Sequence, residues 1–292
     1  MTEGLVAVRS TEQETSGWRA RLEMGFEPSE AKTVLRHCSH EGPLRVQRPF
    51  YPDADGTCHV YLLHPPGGVV GGDELEVSAT AAAGTRVLVT TPGATKLYRS
   101  RGPWSRVQQR LRVGAGARLD WLPQETIAFS GTRAALHTVV ELAASATFSG
   151  WEISCLGRPA SGEDFAAGEL TQRLEVWREH VPVFCERLHL RGGDAFLHQA
   201  WGMRGRTVVG TLVVATAERE LLPRVRAARP DLFGAQLGSA VEACSGTALE
   251  GAAVFRFVGD SARRAQESLA AIWALARSPS GGSVSYPRIW ST

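Results

Sequence analysis

The chain has no apolar run approaching the roughly 18 residues that a membrane-spanning helix needs, and its opening residues, MTEGLVAVRSTEQE, have no signal-peptide core. A cytoplasmic protein without a membrane segment is expected. Net charge is also small: 32 basic against 30 acidic residues leave +2, which gives no overall electrostatic drive towards nucleic acid. Arginine greatly outnumbers lysine, a bias that genome composition alone can produce. Cysteine is sparse. The five, Cys38, Cys58, Cys155, Cys185 and Cys244, contain no CxxC pair and make an odd total. Reduced thiols, several of them buried as small apolar groups, are expected in place of a disulfide framework.

Signatures of catalysis are missing too. There is no GxSxG elbow, no HExxH and no dinucleotide fingerprint between a strand and a helix. A phosphate cradle fails on spacing. Gly72 is followed by Asp-Glu and then by Leu75, Val77 and Ala79 at period two, which is a strand pattern where a P-loop needs a lysine and a helix N-terminus. Pro92-Gly93-Ala94-Thr95-Lys96 lacks the leading glycine. Glu125, Glu152, Glu163 and Glu186 are the types an acid–base pair would use, but no spacing brings two of them together. The expectation is a protein that is not an enzyme.

What is present is the composition of an ordinary globular protein, 43% hydrophobic and 21% charged over 292 residues, enough for one large domain or two smaller ones. Apolar or alternating runs recur at 86–91, 106–113, 117–122, 137–142, 169–176, 184–190 and 207–215, separated by glycine, proline or small polar clusters. This spacing predicts an all-β body. Gly114-Ala115-Gly116 and Arg191-Gly192-Gly193-Asp194 read as hairpin turns. Helix is predicted late in the chain. Between 260 and 278, Ala262, Ala265, Leu269, Ile272, Trp273 and Ala276 share a face, Asp260 or Ser261 can cap the start, and Pro279 with the following glycines stops it. A shorter helix is predicted around 222–228.

The stretch from His64 to Arg99 couples two glycine- and proline-rich turns to strand patterns. Pro65, Pro66, Gly67 and Gly68 fix a reversal, Gly71 and Gly72 permit positive φ or close backbone approach, and Asp73 follows as an acceptor. HPPGGVVGGDELEV and TTPGATKLYRS, with its Pro92 and Gly93, resemble the urease accessory protein UreD (UreH) family. So do LDWLPQETIAFSGTR at 119–133, GWEISCLGRPASGEDFAAGEL at 150–170, Glu186-Arg187 in CERLHLRGG and the terminal YPRIW. The resemblance covers the chain from about residue 30 onward. It leaves 1–25 as a polar N-terminal extension, read as disordered, and 26–292 as the family domain. It implies a single β-rich domain of stacked, helix-like sheet topology with a small helical element.

Functionally, the resemblance implies a scaffold that binds apo-urease and UreF, with the GTPase UreG docked on UreF, in a dimer of accessory heterotrimers. It further implies a water-filled route carrying Ni2+ in transit to the urease active site, without a tightly bound cofactor. A conduit must let its ion leave, so its lining should be exchangeable oxygen donors and not a closed thiolate cage. On that ground the candidate contacts for nickel are Asp73, Glu152 and Glu186, followed by Glu163. Three of the four have a second reading: Asp73 as a turn cap, Glu186 paired with an arginine across the sheet, Glu163 solvated. Lys96, Tyr98 and Arg99 form a further group: in an extended segment Lys96 and Tyr98 share a face opposite Arg99, with Lys96 either buried and paired with one of those carboxylates or facing a partner. His37-Cys38-Ser39-His40 and Cys58-His59 with His64 carry metal-ligand types, yet Cys58 and His59 would point to opposite faces of a strand. Trp121, Trp151, Trp177, Trp201 and Trp273 are left unsorted between core and interface. A free-standing nickel metallochaperone with a tight site and a β-rich hydrolase are the alternative classes.

Overall fold

The computed structural model describes residues 17–233, 243–278 and 284–291. In chain order the strands are β1 (Arg19–Ser29), β2 (Lys32–Glu41), β3 (Arg45–Val46), β4 (Cys58–Leu63), β5 (Glu74–Ala81), β6 (Arg86–Thr90), β7 (Thr95–Leu97), β8 (Ser105–Val113), β9 (Arg118–Trp121), β10 (Thr126–Ala128), β11 (Thr132–Leu142), β12 (Thr147–Leu156), β13 (Gly168–Arg178), β14 (Val181–Arg191), β15 (Val208–Ala215), β16 (Ala243–Leu249) and β17 (Ala252–Gly259); the helices are α1 (Leu221–Ala228) and α2 (Ala262–Arg277).

From β4 to β13 the chain coils between two sheets. Sheet one runs β14-β13-β11-β8-β5-β1-β2 and sheet two β16-β17-β15-β12-β9-β6-β4-β3, with β10 joining β12 to β7 beside it. Each coil leaves one long strand in each sheet, so β5, β8, β11 and β13 are parallel neighbours, as are β4, β6, β9 and β12. This is a β-solenoid. Antiparallel strands close both ends: β2 against β1, and β14 to β17 beyond β13 and β12.

Hydropathy explains why two sheets suffice. Strands of sheet one alternate buried and exposed positions, as in β1 and β5, because one face meets the interior and the other meets water. Their outer face carries charge ladders such as Arg19, Glu74 and Arg106, which are in register. Sheet two is covered on both sides, so β15 (VVGTLVVA) and β17 (AAVFRFVG) are nearly continuous apolar runs. Its inner face shares the main core with sheet one, including Leu22, Phe26, Leu111, Leu119 and Phe148. Its outer face packs Trp151, Leu212, Phe255 and Phe257 against α1 and α2, through Leu221, Val225, Leu269 and Trp273.

The seven predicted strands lie in β6, β8, β9, β11, β13, β14 and β15, and both predicted helices form. Ser261 is the cap of α2, accepting from Arg264 N at 3.3 Å; Pro279 and the glycines after it lie outside the described residues. Two expectations are corrected. Gly114-Ala115-Gly116 and Arg191-Gly192-Gly193-Asp194 are turns but not hairpins, since each leads from sheet one to sheet two. Alternation identifies a strand without naming its partner, and in a solenoid that partner lies one coil away. The boundary drawn after residue 25 falls inside β1, which pairs with both β2 and β5, so the sheet also takes in residues 19–25.

Candidate functional site

Polar side chains interrupt the apolar interior at one level of the coil. On sheet two, Glu152 (β12), Thr211 (β15) and Arg256 (β17) stand in one cross-strand row. On sheet one, Gln109 (β8), Thr138 (β11), Leu174 (β13) and Glu186 (β14) stand in another cross-strand row. The two rows meet across the gap. Thr138 Oγ1 donates to Glu152 Oε1 at 2.9 Å, and Gln172 Nε2 approaches Glu152 Oε2 at 3.3 Å. Ser154 Oγ donates to Gln172 Oε1 at 2.9 Å. At the far end Thr211 Oγ1 donates to Glu186 Oε2 at 3.0 Å, and Arg256 Nε donates to Glu186 Oε1 at 2.9 Å.

Two cavities share this layer. The larger, about 300 Å³, extends from Glu152, Gln172, Thr138 and Gln109 outward to His64, Gly67, Gly68, Pro92 and Gly93. The smaller, about 10 Å³ and thus room for about one water, lies between Glu152 and Gln172 on one side and Glu186 and Thr211 on the other. Glu152 therefore stands at their junction. Burial pushes its carboxyl up to about 7; the Thr138 hydrogen bond opposes the rise and the neighbouring Glu186 charge adds to it. Trp121 lines the larger cavity, and its buried Nε1 has no protein partner.

The two glycine-rich motifs form the outer end together. Gly67 N donates to His64 O at 2.9 Å, closing the Pro65-Pro66 turn. Val69 is held between its neighbours by Val69 N to Lys96 O at 2.7 Å and Tyr98 N to Val69 O at 2.9 Å. Gly68 lies against the Tyr98 ring, where a Cβ would come within 2.2 Å of Cε2. Gly71 and Gly72 continue the loop, Gly72 at φ +95°. The loop ends on Asp73, whose two oxygens accept from Trp18 N at 2.8 Å and Val70 N at 2.9 Å. Burial lowers the His64 pKa against the opposing pull of Asp73.

Of the four carboxylates singled out from sequence, Glu152 and Glu186 share the layer, whereas the described lining of neither cavity contains Asp73 or Glu163. Glu163 accepts from Ser130 N at 2.8 Å and is paired with Arg158, which lies over Phe129. Lys96 and Arg99 are exposed, and Tyr98 meets Phe129 edge-on at 5.0 Å. Cys58 and His59 are both buried, His59 on Asp53 at 2.7 Å, and the His37 to His40 run lies on the exposed part of β2. Among the described residues no group of three or more His, Cys, Asp or Glu side chains forms a metal cluster. Trp121, Trp151 and Trp273 are core, Trp177 is half-buried and donates to Glu175, and Trp201 is 71% exposed.

A family model described as UreD urease accessory protein matches residues 18–291. The chain belongs to the UreD family of urease accessory proteins. It is 43% identical over 279 residues to urease accessory protein UreD of Klebsiella aerogenes, covering 94% of this chain and 97% of the relative. It is 41% identical over 280 residues to urease accessory protein UreD 2 of Brucella anthropi, covering 95% and 100%. With urease accessory protein UreD of Dechloromonas aromatica the identity is 40% over 289 residues, covering 97% and 98%. The family name is that of an accessory factor. No helix among the described residues is long and apolar enough to cross a membrane.

Reading single motifs in this UreD-family chain misses the partners of the two interior carboxylates: Gln109, Thr138, Gln172, Ser154, Thr211 and Arg256. A signal for them exists. In β13, Leu170, Leu174 and Val176 set the buried parity and Gln172 falls on it; in β17, Ala252 and Val254 do the same for Arg256. A polar residue on the inner parity of an apolar strand must find a partner inside.

Proposed function

We propose that this protein acts in urease maturation as a non-enzymatic scaffold in the cytoplasm and as one segment of the route by which Ni2+ reaches apo-urease. Its partners on this reading are the urease apoprotein, UreF and, through UreF, the GTPase UreG, in a dimer of accessory heterotrimers. Nickel is cargo, held in transit, and no resident cofactor is required. The observation that carries the reading is the pair Glu152 and Glu186 in the polar layer of an otherwise apolar interior, each held by its own hydroxyl or amide partners, with the smaller cavity between them and the larger one extending from Glu152 to the glycine-rich loops. Buried carboxylates cost stability unless paired, so a fold without traffic would gain from apolar residues there. Oxygen ligands bind Ni2+ less firmly than thiolate cages, and such ligands favour release.

Asp73, buried at the end of the glycine-rich loop, and Glu163, nearer the surface, remain candidates for contacts outside the two cavities. Lys96 and Arg99 are exposed and suit a protein partner, with the half-buried Tyr98 between them in sequence. The test is activation of apo-urease in a reconstituted system with UreF, UreG, GTP, bicarbonate and nickel, with assembly followed by size exclusion. Glu152→Gln and Glu186→Gln should each reduce activation at least tenfold with the complex intact. Full activation by both would remove the route, and failure of the unmodified chain to bind its partners would remove the scaffold. Equilibrium dialysis of the isolated protein against Ni2+ addresses the metallochaperone alternative, which requires tight binding without partners.

A further inference from the structure

Arg256 is the one charged side chain among the inner positions of β17, which otherwise carry Ala252, Val254 and Val258. Its row places it two strands beyond Glu152, with Thr211 between them, and strands repeat every ~4.8 Å. Glu152 is thus deep and Arg256 is at the rim, where its side chain is 39% exposed against 25% for Glu186. Arg256 donates to Glu186 Oε1 through both Nε and Nη2, at 2.9 and 2.5 Å, while Thr211 occupies Oε2. No backbone carbonyl or second carboxylate holds that guanidinium in the described contacts. Its partner is the carboxylate that a passing cation would need.

We propose that Arg256 is a displaceable counter-cation that closes the Glu186 end of the interior, yielding to a divalent metal ion and not to a monovalent one. This rests on the reading of the interior as a nickel route. A guanidinium and a metal ion compete for one carboxylate. A doubly charged ion at the same separation is attracted about twice as strongly as a singly charged one, so Ni2+ displaces Arg256 where Na+ does not. The freed guanidinium, already near the surface, turns to solvent. When the metal moves on, Arg256 returns and Glu186 is again satisfied, so the half-buried carboxylate is never left without a cation. Competition with Arg256 also lowers the net affinity for metal, which keeps the seat exchangeable.

The experiment is a Ni2+ titration of the full-length protein by equilibrium dialysis, comparing the unmodified chain with Arg256→Gln, Arg256→Lys and the double variant Arg256→Gln/Glu186→Gln. Arg256→Gln should bind Ni2+ at least tenfold more tightly than the unmodified protein, Arg256→Lys should fall between, and the double variant should lose the gain. Equal or undetectable binding in the unmodified and Arg256→Gln proteins overturns the proposal. A readout on the unmodified chain covers the case in which Arg256→Gln does not fold. Phenylglyoxal modification of Arg256, followed by peptide mass spectrometry, should rise at least threefold with Ni2+ and stay flat with Na+ at equal ionic strength; no rise with Ni2+ overturns it. Failure of the route itself has a separate signature. Tighter binding by Arg256→Gln together with normal urease activation by Glu186→Gln would leave a latched cation seat that lies on no route.

Discussion

The Glu152 carboxyl is the residue at which this fold departs furthest from an ordinary sheet-sheet core. Its pKa is raised from 4.5 to about 7, chiefly by burial, and at about 1.4 kcal/mol per unit the ionised state is disfavoured by about 3 kcal/mol. The sign follows from proton binding. Between 4.5 and about 7 the folded chain holds a proton that the unfolded chain has lost, so this contribution is complete below 4.5 and disappears as pH rises through about 7. Glu152→Gln imitates the neutral acid at every pH. In urea denaturation it should match the unmodified protein at pH 4 and exceed it at pH 8, by up to about 3 kcal/mol; equal stability at pH 8 would mean that the carboxylate is well solvated. Glu152 and Glu186 were legible as candidates through their motifs. What makes Glu152 distinctive, a carboxyl whose pKa burial raises and which is hydrogen-bonded by Thr138 and Gln172, depends on strands remote in sequence.

At the scale of elements, α2 was the most legible piece, because its apolar face, its Ser261 cap and its length all agree. The reason it docks where it does was not legible. Arg277, at its last turn, reaches Asp53 Oδ2 at 2.7 Å and Thr57 Oγ1 at 3.1 Å, while His59 Nε2 lies 2.7 Å from the same Asp53 oxygen. One helical turn earlier, Trp273 Nε1 donates to Asp120 Oδ1 at 2.9 Å. These partners lie 153 to 224 positions away in sequence, beyond any local pattern. The buried ends decide the energetics: side-chain exposure is 6% for Arg277 and 10% for Asp53. Arg277→Met should cost about 3 kcal/mol, because Asp53 then stays buried without its cation, and hydrogen exchange should show α2 opening ahead of the sheets. Arg263→Ala, which removes only the exposed i,i+4 pair with Glu267, should leave the urea midpoint in place. The strands were recognised by alternation, but their pairing was not, since a parallel neighbour is separated from its partner by a whole coil.

For the whole molecule, the solenoid turns a sequence of unremarkable strands into two facing sheets around an apolar core that the polar layer and its two cavities interrupt. Inner positions stack from coil to coil, so side chains far apart in sequence border one cavity, and a change at a single inner position alters it without touching the outer faces. Glu152 and Glu186 border the cavity of about 10 Å³ together with Val209, Leu174 and Leu188. Val209 carries no charge, so enlarging it tests the proposed passage independently of the carboxylates. Val209→Phe should fill that space, with an overpacking cost of about 1–3 kcal/mol that thermal melting can measure. Because the change faces inward, co-elution with UreF and urease should persist. Urease activation should nevertheless fall at least tenfold, and Val209→Ala, which widens the same point, should retain it. Full activation by a folded, assembled Val209→Phe protein would mean that nickel does not pass between Glu152 and Glu186, and the polar layer would then stand as a costly device for fixing how the two sheets face each other.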